Sequence, residues 1–252
     1  MRSNYRPDSP TLFAPDLVGK VVGDVLALDR SEAEHLRVLR CRPGISVQIT
    51  DGRGTRWSAQ LMDLDRRSAK VALGDSIPAA PALPVHLAVG IGNRARFLTL
   101  VEKATEFGVG GIQPLECERS RSVADAGRSP AFWSKARARA VAALKQSGGS
   151  WLPQIEAPQA LDTFLASAKD GHTGQRFLLD AGGPLLAARL SVWPGAECLT
   201  VLVGPEGGLS DAERARCAEA GFLTASLSSR TLRFETAAIA ALAVVSQMEG
   251  GT

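Results

Sequence analysis

Apolar and polar positions along the chain follow two regimes. Up to about residue 76 the apolar segments are short, and 21–28, 45–50 and 56–64 read as strands. In the last of these, Trp57, Ala59 and Leu61 alternate with polar neighbours, as a strand with one buried face requires. Asp51-Gly52 supplies hairpin chemistry between the last two. A helix over 32–40 interrupts them, opened by a capping box of Ser31 with Glu34 and closed by Pro43-Gly44. Residues 1–76 are therefore expected to form a small β-barrel domain. Pro78, Pro81 and Pro84 mark 76–84 as a linker.

Beyond the linker the pattern alternates between the two periods. Strands are expected at 85–90, 111–116, 176–180, 199–204 and 222–227. Between them lie helices over 97–107, ended by Gly108, and 131–146, with Trp133, Ala136, Ala140 and Leu144 on one face. A third helix opens near Asp211, where Ser210 and Glu213 form a capping box, and stops at Gly221. The last runs from about Glu235 to Met248, is small and apolar on nearly all faces, and is expected to be buried, partly against another subunit. Strands separated by helices imply a mostly parallel sheet covered on both sides, so 77–252 reads as an α/β domain.

Composition narrows the class. The 252 residues are 45% hydrophobic and 22% charged, as in a soluble globular protein. Cys41, Cys117, Cys198 and Cys217 are scattered, and no signal-peptide pattern opens the chain, which together read as reduced thiols in a cytoplasmic protein. His35, His86 and His172 form no metal-ligand spacing, and no apolar run reaches the ~18–20 residues of a membrane span. No Ser-His-Asp or Cys-His spacing supports covalent catalysis. Glu102 and Glu106 read as a pairing face with Lys103 or nearby arginines.

The net charge of +3 is small, yet its placement is informative. Arg37, Arg40, Arg42, Arg53 and Arg56 fall in the first domain, Lys135, Arg137, Arg139 and Lys145 along one helix, and Arg119, Arg121, Arg230 and Arg233 in loops. Arginines in both domains favour contact with nucleic acid over a merely solvated surface. With one Tyr in the chain, extended stacking on single strands is disfavoured. The segments 204–208 (GPEGG) and 228–236 (SSRTLRFET) stand at the carboxyl ends of neighbouring strands, where open α/β sheets bind ligands. The glycines admit close backbone approach, although a tight turn without a ligand is an equal reading of Gly-Gly by itself. The loop matches neither G-x-G-x-x-G nor a P-loop.

Six stretches in order carry a resemblance that covers essentially the whole chain. They are HLRVLRCRPG at 35–44, DGRG at 51–54, VEKATEFGV at 101–109, QPLECERS at 113–120, VGPEGGLSDAE at 203–213 and SRTLRFETAAIAAL at 229–242. The chain resembles the RsmE family, the SPOUT-class methyltransferases that modify N3 of a uridine in 16S ribosomal RNA. The resemblance implies a PUA-like β-barrel for RNA at the N-terminus and a C-terminal α/β domain with a trefoil knot. It also implies a homodimer, S-adenosylmethionine as cofactor, and a partner in the small ribosomal subunit.

It further assigns residues. Leu179, Val203, Gly204, Pro205, Glu206, Gly207, Gly208, Leu227, Ser228 and Leu232 would hold the cofactor, Glu206 by orienting its loop, and Thr236 would close the pocket. Arg119, Arg230 and Arg233 are the catalytic candidates, as cationic donors near the uracil oxygens. Arg37, Arg40, Arg53, Arg121 and Arg139 would contact RNA. Two positions depart from the family pattern. Gly148-Gly149 replaces an arginine-bearing segment after Gln146-Ser147, which removes an RNA contact, and Ser228 replaces a common glycine beside the cofactor loop. The competing readings are a non-catalytic ribosomal RNA-binding factor and a related enzyme for another base or a ribose hydroxyl.

Overall fold

The computed structural model describes residues 9–120, 129–171, 174–191 and 197–249. Contacts divide the chain into two units. Met1–Ala82 and Val141–Leu152 form the first, and Leu83–Ala140 and Pro153–Thr252 the second. Residues 77–82 carry no regular structure.

The first unit contains β1 (Thr11–Phe13), β2 (Val25–Leu28), α1 (Arg30–Val38), β3 (Ser46–Thr50), β4 (Arg56–Leu64) and β5 (Ala69–Ser76). They form a five-stranded sheet in the order β1-β3-β4-β5-β2, antiparallel except for the β1–β3 pair. One core takes apolar side chains from every strand and from α1, including Leu12, Leu36, Ile49, Leu61 and Val71. The alternation in β4 holds: Ala59 and Leu61 are buried, and Trp57 packs against the same core.

Three expectations change. The span 21–28 is a strand only from Val25, because Asp24 turns back to accept a hydrogen bond from the Val21 N–H at 3.1 Å. β1 and β5 are additional strands. Helix α1 starts two residues early, because Asp29 satisfies the capping rule before Ser31 can, accepting from the Glu32 N–H at 3.0 Å. At its other end the Arg40 N–H donates to Arg37 and the Cys41 N–H to Leu36, a Schellman closure with Arg40 at φ 56 where glycine is usual.

Asp51 shapes the β3–β4 hairpin through its side chain, accepting from the N–H groups of Arg53 (2.8 Å) and Thr55 (3.0 Å). The segment 150–152 lies on that hairpin. Gly54 donates to the Ser150 carbonyl and Leu152 to that of Gly52, each at 2.8 Å, and the Trp151 indole fills the place of a Gly54 side chain.

The second unit begins with β6 (Leu83–Gly90), α2 (Arg94–Glu106), β7 (Val109–Glu116) and α3 (Pro130–Ser147), whose last turns group with the first unit. It continues with β8 (Gln154–Ile155), β9 (Gln159–Ala160), α4 (Leu161–Gly171), β10 (Gly174–Leu179) and α5 (Leu186–Leu190). It ends with β11 (Cys198–Val203), α6 (Asp211–Glu219), β12 (Leu223–Ala225) and α7 (Phe234–Glu249). The seven-stranded sheet runs β12-β10-β11-β6-β7-β8, with β9 also on β7, and every recorded ladder is parallel. Residues 199–203 of β11 are buried without a break, which is why that strand reads as a continuous apolar run.

Helix α3 buries Ala136, Ala140 and Leu144, while Trp133 packs edge-on against Phe97 and Phe132. Its end explains Gly148-Gly149. Gly148 sits at φ 66 and the Gly149 N–H donates to the Leu144 carbonyl at 3.1 Å, so the pair closes the helix. Lys145, expected in a basic stripe, is instead 11% exposed and pairs at 2.8 Å with Glu32, whose side chain is 6% exposed. Burial pushes the Glu32 carboxyl up from the ordinary glutamate range against the pull of Lys145.

Removing Lys145 would leave that carboxylate buried without its partner. Lys145→Ala is expected to destabilise the protein by about 3 kcal/mol at neutral pH, measured by denaturant unfolding. Since the folded pKa of Glu32 is raised, the carboxyl takes up its proton at a higher pH than an ordinary glutamate. The loss should therefore shrink as pH falls through that value.

Candidate functional site

The loop after β11 crosses the end of β6 at close range. A Cβ on Gly90 would lie 2.6 Å from both the Cδ and the N of Pro205, and the Glu206 carboxylate occupies the place of a Gly92 side chain. Arg96, in the first turn of α2 and placed there by the Asn93 cap, donates to Glu206 at 3.1 Å and lies 3.6 Å from Glu235. Gly208, at φ 67, donates its N–H to the Pro205 carbonyl at 2.8 Å, which closes the turn. The Gly207 carbonyl accepts from Arg119 Nη1 at 3.0 Å.

The expected capping box then forms. Glu213 donates its N–H to Ser210 Oγ (3.2 Å), and Ser210 returns its N–H to Glu213 Oε2 (2.8 Å). Gly221, at φ 82, follows the end of α6.

Two further segments face this loop. After β10, Asp180 binds Arg214 Nε at 2.7 Å, and its N–H donates to the Ala225 carbonyl. After β12, Ser226 exchanges two bonds of 2.7 Å with Pro184 and Leu186. Ser228 Oγ accepts from the Arg230 N–H at 3.0 Å, and Ser228 has no positive φ. The serine thus stabilises its turn without backbone strain.

Together the segments enclose a cavity of about 560 Å³, lined by 178–181, 203–209, 226–228 and 230–234 with Arg96, Arg214 and Ala237. Leu179, Val203, Gly204 through Gly208, Leu227, Ser228 and Leu232 all line it, as do Arg230 and Arg233. Thr236 does not. It is exposed on α7, where Phe234 and Ala237 line the cavity instead. Arg119 is not part of the wall and reaches the site through Gly207. The sequence reading missed Arg96 and Asp180, which come from stretches with no motif of their own, and Arg214, which directly follows the capping box.

The other expected residues are dispersed. Arg37, Arg40 and Arg53 are exposed in the first unit, and among the described residues no carboxylate pairs with them. Arg139 pairs with Glu102 at 2.9 Å, and Lys103 binds both Glu102 and Glu106, the pairing face expected for those glutamates. Arg121 lies outside the described residues. Cys117, beside Gly90, has its thiol pushed up to about 12, first by burial and then by the charge of Glu213.

A second cavity of about 220 Å³ lies beside β6, β7 and α4. Two of its amides are turned on the protein itself: Gln113 donates to the Pro114 and Ala157 carbonyls, and Gln154 to Glu156. Among the described residues no cluster of three or more His, Cys, Asp or Glu could hold a metal ion, and no helix is long and apolar enough to cross a membrane.

Residues 79–246 match the RNA methyltransferase domain family, and residues 28–73 match the RNA methyltransferase PUA domain. A ribosomal RNA small subunit methyltransferase E from Synechocystis sp. is 29% identical over 231 residues, covering 91% of this chain and 75% of that one. Its counterpart from Bacillus subtilis is 26% identical over 229 residues, covering 85% and 87%. The fold is similar to that of a ribosomal RNA small subunit methyltransferase E from Neisseria gonorrhoeae bound to S-adenosyl methionine. The TM-score is 0.81 at 26% identity, over 93% of this chain and 95% of that one. A putative methyltransferase from Legionella pneumophila in complex with the bound cofactor SAM gives a TM-score of 0.82 at 27% identity, over 94% and 96%.

The crossing at Gly90 can be tested without any ligand. Gly90→Ala should force Pro205 away from β6 and cost about 1–3 kcal/mol of stability in denaturant unfolding. An unchanged midpoint would show that the loop gives way freely.

Proposed function

The chain belongs to the RNA methyltransferase domain family, and from that premise we propose that it transfers a methyl group from S-adenosylmethionine to N3 of a uridine in small-subunit ribosomal RNA. The observation that carries this reading is the cavity, with a glycine-loop wall on one side and the Arg230–Arg233 segment on the other.

The residues fit the cofactor. Apolar side chains of Leu178, Leu179, Val203, Leu227 and Leu232 suit an adenine ring, while the backbone of 204–208 and 226–228 supplies polar groups at close range. Glu206, held by Arg96, orients the loop and takes no part in the chemistry. S-adenosylmethionine supplies an already activated methyl group, so the protein's tasks are alignment and charge stabilisation. As the imide proton passes from N3 to solvent water, negative charge would grow on N3 and the uracil oxygens. Arg230 and Arg233 stabilise that charge from the cavity wall, and Arg119 does so from its seat on Gly207.

Arg37, Arg40, Arg53 and Arg139 contact RNA phosphates in this reading, with Arg121 continuing the set. In this reading the second unit carries the trefoil knot of the SPOUT class. The protein acts as a cytoplasmic homodimer. The half-buried Ile239, Ala240, Ala243 and Val244 on α7 suit a subunit contact, and all four cysteines are free thiols.

The test uses small ribosomal subunits from cells lacking the activity, incubated with the protein and labelled S-adenosylmethionine, followed by nucleoside mass spectrometry. We expect 3-methyluridine, with kcat lowered roughly 100-fold in Arg233→Ala. Subunit binding without label transfer would point to a non-catalytic factor, and another methylated nucleoside to a different target. Arg40 gives a separate check, since its left-handed backbone is costly for any residue with a Cβ. Arg40→Gly should leave unfolding stability equal or higher while weakening RNA binding.

A further inference from the structure

Glu213 is the capping-box residue of α6, but capping accounts for only half of its carboxylate. Oε2 accepts from the Ser210 N–H at 2.8 Å, closing the box. Oε1 accepts at the same distance from the Glu118 N–H, 95 residues earlier in the chain. A capping glutamate can do its work at a helix surface, in water. Glu213 is only 1% exposed, and burying a carboxylate is costly unless charge-assisted hydrogen bonds meet it. Here one oxygen serves the glycine-loop side and the other the segment that carries Arg119.

The surrounding bonds make Arg119 the beneficiary. Residues 117–120 form a closed turn, with the Ser120 N–H on the Cys117 carbonyl (2.9 Å) and the Cys117 N–H on Ser120 Oγ (3.2 Å). Glu213 anchors that turn at the peptide N–H immediately before Arg119. The Arg119 side chain then runs along Gly207, where a Cβ would lie 3.0 Å from its own, and ends on the Gly207 carbonyl. Anchored at both ends, the guanidinium has little freedom to leave the cavity's edge.

We propose that Glu213 is a positioning residue for the methyl transfer, holding Arg119 against the glycine loop through the Glu118 peptide. The assignment rests on the reading above that Arg119 acts on the substrate base. Two converging N–H donors require two acceptors, which a carboxylate provides. A glutamine would turn its NH₂ towards one of the donors. The isosteric variant is therefore the informative one.

Glu213→Gln, Arg119→Ala, the double variant and Ser210→Ala are compared with the wild-type protein on small ribosomal subunits, with cofactor affinity measured by calorimetry. Misplacing a reacting group by about 1 Å can cost about 100-fold, so Glu213→Gln is expected to lower kcat between ~10-fold and ~100-fold. KM and cofactor Kd should move less than about threefold, and in the Arg119→Ala background the same change should cost nothing further. Ser210→Ala, which removes the hydroxyl side of the cap but keeps both Glu213 carboxylate bonds, should lower stability while reducing kcat far less than Glu213→Gln does. Wild-type kcat in Glu213→Gln, or a loss that adds fully to that of Arg119→Ala, would overturn the proposal. Full turnover in Arg119→Ala would overturn the catalytic reading of Arg119 and this proposal with it. A slow Arg119→Ala beside an unimpaired Glu213→Gln would sink the positioning role alone.

Discussion

At the end of β6 the backbone passes so near the loop after β11 that neither Gly90 nor Gly92 could carry a side chain without displacing Pro205 or Glu206. That proximity lets a five-residue loop be held from several directions. Glu206 reaches Arg96 on α2, Gly207 receives Arg119 from the end of β7, and Ser210 is tied through Glu213 to Glu118. Each bond is modest, since an intramolecular hydrogen bond contributes about 1 kcal/mol net. Their effect lies in convergence, because the loop's position is fixed by the ends of β6, β7 and β11 and by two helices. The sheet supplies rigidity, and the glycines allow that rigidity to act on backbone atoms.

The electrostatics of the cavity divide its arginines into two kinds. Arg96 is balanced by Glu206 and Glu235, and Arg214 by Asp180 and Asp211. These pairs are partly exposed and add little to stability, but they leave the two arginines committed to scaffolding. Arg230 and Arg233 differ. They are exposed, and no described carboxylate pairs with them. Positive charge is thus available on the segment that a substrate anion would approach, while the charges on the opposite walls are already neutralised.

How much of this the sequence disclosed depended on how local the signal was. The Ser210–Glu213 cap, the Gly108 and Gly221 stops and the strand at 56–64 involve residues near one another in the chain, and all are found. The start of α1 shows the limit of local rules, since Asp29 and Ser31 both satisfy them and the chain uses the first. In β5 the buried Ala69, Val71 and Leu73 alternate, but Ala72 between them is also apolar and blurs the pattern. β8 and β9, at two residues each, are too short to have a period. The cavity residues Arg96, Asp180 and Arg214 were hidden for another reason. Their partners lie 110 and 34 positions away, and only the fold brings them together.

Three turns meet the demands of their backbone in different ways. Gly148-Gly149 closes α3 with a left-handed residue that an arginine would occupy only at a cost. α1 makes the opposite choice, placing Arg40 at its own left-handed closing position. The same backbone problem is therefore solved once for stability and once with an exposed guanidinium retained. Ser228 is a third solution, using its hydroxyl to bond the Arg230 N–H in a turn that needs no positive φ. At Gly148 and Ser228 the side chain follows from what the backbone demands, whereas at Arg40 the fold tolerates the cost of a left-handed residue with a Cβ.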